Sequence, residues 1–71
     1  MPLSMLGVNQ ESVITDVRGT PELKKRLNEL GLVKGTSVRV IQGSKKGSII
    51  IKVLDSKLVI NVSVAQKIIV A

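Results

Sequence analysis

The sequence predicts a mainly-β fold: a small, partly open barrel of five short strands, with one roughly ten-residue helix between strands 1 and 2 and a short helical turn before the last strand. Three observations predict it. The stretches "SVITDV", "TSVRVI", "SIIIKVL", "KLVINV" and "KIIV" are short, rich in β-branched residues and bounded by Gly, Pro, Asp or Ser. Only "PELKKRLNEL" carries apolar residues at helical spacing. A sheet of five strands in a chain of 71 residues also has edges to hide, and curling it toward closure hides them. Residues 1–71 are expected to form one domain, with no repeat and no linker.

In the opening "MPLSMLG", Ser4 is placed to cap a single helical turn. Strand 1, Ser12 to Val17, then sets Val13, Thr15 and Val17 on one face. Thr20-Pro21-Glu22 starts the helix. Thr20 can accept an N–H bond as N-cap, Pro21 suits the first helical position, and Glu22 lies near the positive end of the helix dipole. Leu23, Leu27 and Leu30 share a narrow stripe, and Glu22 with Arg26 is a favourable i,i+4 pair. Gly31 stops the helix where positive φ is needed, and Leu32 is placed to fold back on the leucine stripe.

Beyond Gly35 the alternation of Val38 and Val40 with Ser37 and Arg39 marks strand 2. "QGSKKG", with Gly43 and Gly47, reads as a mobile hairpin loop leading to strand 3. A tight turn at Asp55-Ser56 leads to strand 4, Ser63 is placed to cap the turn "SVAQ", and "KIIV" closes the fold. "SIIIKVL" buries one face and offers apolar positions to an extended partner segment if it lies at an edge, where Lys52 or self-association would otherwise protect it.

Composition narrows the function. The chain has neither Cys nor His, which removes disulfides, thiolate nucleophiles, imidazole bases and the usual zinc, copper and haem ligands. Hydrophobic residues make up 44% of the chain with no Phe, Trp or Tyr, so the core must be aliphatic and no ring is available for stacking on a base. No apolar run approaches a membrane span and no signal peptide is expected, so the reading is a soluble, intracellular protein without membrane insertion, and the absence of disulfides fits a reducing cytoplasm. The formal charge of +6 is dispersed, with adjacent basic residues only at Lys24-Lys25-Arg26 and Lys45-Lys46.

The order of elements, together with "LKKRLNELGLVKGTSVRVI" from Leu23 to Ile41, resembles the FeoA family, small cytoplasmic proteins associated with bacterial ferrous iron uptake. The likeness lies in a basic-leucine helix, Leu-Gly-Leu, a residue pair, Gly and an alternating strand. It extends over "LSML", Leu3 to Leu6, and "LVINVSVAQKIIV", Leu58 to Val70. The resemblance implies an SH3-like barrel, a family-level association with iron as a transition metal ion, and a role as accessory partner of the membrane transporter FeoB, whose cytoplasmic part includes a GTP-binding domain. A related domain ends some iron-dependent repressors, so a stand-alone SH3-like domain of that kind is the alternative.

Fold does not carry function, and the residues have to be weighed separately. No two of the five carboxylates lie within four residues of each other, so neither a metal site nor a cofactor is expected. An enzyme is not expected either, for want of a nucleophile–base pair or a phosphate-cradling loop. The basic residues Lys24, Lys25 and Arg26 read as the rim of a protein docking surface, with Leu32 and Val33 as its exposed apolar centre and Lys34 beside them. Self-association through a barrel edge is a second possibility. A nucleic-acid-binding barrel is the rival class, but no nucleic acid is expected without aromatic platforms.

Overall fold

Alternation of aliphatic with polar residues gives each strand one face to bury, and pairing stacks those faces into a shared core. The computed structural model describes residues 1–71. It contains β1 (Glu11–Val17), α1 (Pro21–Glu29), β2 (Ser37–Lys45), β3 (Ser48–Val53), β4 (Ser56–Asn61), the one-turn α2 (Val62–Ala65) and β5 (Ile68–Val70). The strands form one antiparallel sheet in the order β4-β3-β2-β1-β5. Pro2 bridges to Ile69, and the Val70 N–H donates to the Met1 carbonyl at 2.7 Å, so the outer side of β5 is covered. The mainly-β expectation holds, with the helix and the late turn where they were placed.

All thirteen buried residues are hydrophobic and belong to one cluster, in which Leu3, Ile14, Leu32, Ile51 and Ile68 are the largest fully buried side chains. The aliphatic core therefore carries no polar group that needs a partner. α1 starts as expected: Thr20 accepts from the Leu23 N–H at 3.2 Å and Pro21 opens the helix. It ends in a Schellman motif. The Leu32 N–H reaches the Leu27 carbonyl at 2.9 Å and the Gly31 N–H reaches the Asn28 carbonyl at 3.0 Å, with Gly31 at φ 87°. A turn from Val33 to Thr36 follows, closed by a 3.1 Å bond, with Gly35 at φ 93°. The Gly35 N–H then donates to the Ile14 carbonyl at 2.7 Å, tying the joint to β1.

Several local expectations are corrected. Ser4 lies inside the 3-10 turn Leu3–Met5 and makes no cap, because burial of Leu3 fixes that turn. A bulge between Ile14 and Asp16 splits the expected face of β1: Ile14 turns inward with Val17, while Val13 and Thr15 face out. Leu30 is 42% exposed, since it is the C-cap residue and has left the buried stripe. Glu22 and Arg26 form no ion pair; the two pairs present are Arg18–Asp16 and Arg39–Glu11, both well exposed. "QGSKKG" is not a loop: β2 continues through it to Lys45, and Lys46-Gly47 alone turn the chain, both at positive φ. The next turn is Leu54-Asp55, one residue earlier than expected, with Leu54 at φ 55°. Ser63 does not cap α2: the cap position is Asn61, two residues earlier, and the helix opens at Val62, whose N–H bonds the Gly47 carbonyl. Finally, β3 is flanked by β2 and β4, so "SIIIKVL" is no edge.

A Cβ on Gly31 would stand 3.0 Å from Leu54 Cδ1, whereas one on Gly35 would meet nothing within 4 Å. Both glycines have positive φ, so Gly31→Ala and Gly35→Ala are each expected to lower stability by about 1–3 kcal/mol. Gly31→Ala is expected to cost more, since it adds a contact to the same backbone strain. Urea unfolding of both variants checks this, and a larger loss for Gly35→Ala would contradict it.

Candidate docking surface

α1 leaves its ladder through the Gly31 joint and lies alongside the end of β4. Between them runs a groove of about 210 Å³, lined by Leu23, Leu27 and Leu30 of α1, by Val59 and Ile60 of β4, and by Val64 of α2. Arg26 and Asn61 supply its polar rim. Leu30 and Val59, 42% and 70% exposed, stand free at its walls, whereas Leu27 and Ile60 form its buried floor. The groove thus combines an apolar floor with a polar rim.

The six residues singled out from the sequence fall into three positions. Lys24, Lys25 and Arg26 are exposed on α1, and of these Arg26 reaches the groove. Lys34 is exposed in the turn after the joint, and Val33 is half-buried there. Leu32 is 1% exposed, and this corrects the expectation of an exposed apolar centre at "LVKG". The reason is the Schellman motif itself, which turns the residue after Gly31 back against the last helical turn. The exposed aliphatic side chains at the groove are Leu30 and Val59 instead. A signal for Val59 existed: in "KLVINV" the phase of Leu58, Ile60 and Val62 is buried or half-buried, so Val59 is an aliphatic residue among Lys57 and Asn61 on the polar phase.

Two wider depressions are more polar. One, of about 420 Å³, is lined by Glu11, Thr36, Ser37, Arg39, Lys52 and Leu54. The other, of about 460 Å³, lies over the start of α1 and is lined by Thr20, Glu22, Leu23 and Arg26. Nowhere do three side chains of the carboxylate, imidazole or thiol kinds converge as metal ligands would. No helix is long and apolar enough to cross a membrane.

Comparison with known proteins agrees with this architecture. A search of curated proteins finds no significant match. Among solved structures, an iron uptake regulatory protein, FeoA, superposes with a TM-score of 0.91 at 26% identity, covering 99% of this chain and 93% of its own. The zinc-complexed FeoA of Stenotrophomonas maltophilia, described as a prokaryotic SH3 domain protein, gives a TM-score of 0.86 at 29% identity, covering 100% of this chain and 89% of its own. A manganese-dependent transcriptional repressor shares the fold, with a TM-score of 0.87 at 14% identity over 96% of this chain and 39% of the repressor. The barrel is thus SH3-like, and the family model for the FeoA domain matches residues 1–71 from end to end. With the leucine helix, the glycine joint and the five-stranded sheet all in place, the chain belongs to the FeoA domain family.

Proposed function

We propose that this protein is a non-enzymatic, cytoplasmic accessory protein of bacterial ferrous iron transport that docks on the cytoplasmic, GTP-binding region of a FeoB-type membrane transporter. The observation that carries this reading is the apolar groove between α1 and β4, rimmed by Arg26, in a chain of the FeoA family. The S. maltophilia relative is put forward as a ferrous iron transport activating factor, which is the same kind of role. Leu30 and Val59 serve as apolar anchors, while Lys24 and Lys25 on the outer side of α1 steer an acidic partner. Docking acts by differential affinity: binding one conformation of the transporter more tightly than another shifts their balance, and equal binding shifts nothing.

A pull-down of the transporter's cytoplasmic region tests this. The wild-type chain is expected to retain the fragment, and Val59→Asp or Leu30→Asp, both at exposed positions, to weaken retention at least tenfold, about 1.4 kcal/mol. Lys24→Glu with Lys25→Glu is expected to weaken it less and to reduce its salt dependence. Salt-sensitive binding of nucleic acid with no retention of the fragment would overturn the docking reading.

Ferrous iron is expected to leave the thermal unfolding of the isolated chain unchanged. A site present at a hundredfold excess of ion over its Kd would add about 2.7 kcal/mol to stability, an effect calorimetry resolves easily. Stoichiometric tight binding would show that scattered carboxylates assemble a site without imidazole.

A further inference from the structure

The register of the β3–β4 hairpin fixes which backbone groups of β4 are free. Val53 stands opposite Ser56 across the two-residue turn Leu54-Asp55, and in such hairpins this closing pair is hydrogen-bonded. Pairs alternate from there, so Ser56, Leu58 and Ile60 direct their N–H and C=O groups to β3, while Lys57 and Val59 direct theirs away from it. The Val62 N–H bond to the Gly47 carbonyl, 2.8 Å, continues the same phase. No strand lies beyond β4, and none of the backbone bonds outside the regular elements involves Lys57 or Val59. The outer side of β5 is paired by the segment at Met1 and Pro2; no strand pairs with that of β4, which faces the groove bordered by α1.

The same register assembles charge that the sequence disperses. On the outward face Arg39 lies opposite Lys52, and Lys52 lies opposite Lys57, so three cations form one row across β2, β3 and β4 that ends at the open edge. Lys52 and Lys57 form a non-hydrogen-bonded pair, the type in which side chains are closest, and like charges so placed repel. Arg39 has Glu11 at 3.7 Å, whereas neither lysine belongs to an ion pair. The next outward row is Gln42, Ile50 and Val59, and it ends at the edge on an aliphatic residue that is 70% exposed.

We propose that the open edge of β4 pairs with an extended acidic segment of a partner protein, one carboxylate standing opposite Lys57 and an aliphatic side chain two residues away standing opposite Val59. Backbone bonds to Lys57 and Val59 supply the pairing, and the two rows supply its specificity. A carboxylate there gives the Lys52–Lys57 end of the row the opposite charge that Glu11 gives Arg39 at the other. A second copy is opposed by the +6 charge each chain carries, and a polynucleotide finds no ring on which to stack. The inference rests on the docking reading above only for the source of the segment.

Amide hydrogen exchange of the full chain, read by NMR, tests it with a blocked peptide Thr-Val-Thr-Glu-Thr, whose order sets Glu opposite Lys57 and Val opposite Val59 in antiparallel pairing, its counterpart with Lys in place of Glu, and decathymidylate. The Glu peptide is expected to slow exchange at the Lys57 and Val59 amides at least tenfold, and the Lys peptide to leave both unchanged. Lys57→Glu is expected to invert that preference, a result that misfolding cannot produce. Absence of slowed exchange with the Glu peptide, equal slowing by decathymidylate, or slowing that depends on protein concentration without peptide would each overturn the inference. If the transporter fragment is retained and the Glu peptide slows nothing, docking stands and edge pairing falls. If the peptide slows both amides and the fragment is not retained, edge pairing stands and only the transporter is removed as its source.

Discussion

The fold turns on one hydrogen-bonded joint. Gly31 adopts a φ of 87° that a side chain would resist, and this lets the Leu32 amide reach back to the Leu27 carbonyl. Leu27 and Leu32 are thereby driven into the core together, at 2% and 1% exposure, so the helix is anchored by the residues that end it. Four residues later the Gly35 amide bonds Ile14, itself fully buried in β1. The position of α1 relative to the sheet follows from these two attachments. The groove lies between α1, so anchored, and β4, with Val64 of α2 contributing to its lining.

Much of this was legible in the sequence. Thr20, Pro21, Gly31 and the strand alternations each act through contacts within a few residues, and local chemistry of that kind can be read directly. What could not be read depends on register. Lys57 and Lys52 are five residues apart along the chain and Arg39 lies thirteen before Lys52, so the basic residues look scattered, yet antiparallel pairing sets all three in one row. The bulge in β1 has no glycine or proline to announce it, and it is the bulge that lets Val17, three residues after Ile14, share its inward face. For Leu32 the sequence supports two readings, folded back on the leucine stripe after Gly31 and exposed beside Val33 and Lys34, and the Schellman geometry set by Gly31 selects the first.

The two hairpin turns show how strain and edge position combine. Lys46-Gly47 suits positive φ, but the second turn uses Leu54, an aliphatic residue at φ 55° and 67% exposed, which L side chains adopt at a cost. Its side chain lies against Gly31, where a Cβ would nearly touch it. The turn that sets the β4 register thus lies next to the glycine that ends α1.

Lys57 illustrates why the open edge need not be a defect. A lysine on an edge strand is a standard guard against pairing with other chains, because an approaching copy must bury or repel the charge. Yet the guard is selective, since repulsion is directed only at like charge and becomes attraction when the incoming strand bears a carboxylate. The neutral anchor beside it, Val59, contributes with either partner, so the lysine row alone decides between them. A charge that prevents self-pairing and a charge that chooses an acidic partner are then the same charge. The fold it sits on is shared with a manganese-dependent repressor at 14% identity and cannot make that distinction. The distinction belongs to the side chains that the register brings to the edge.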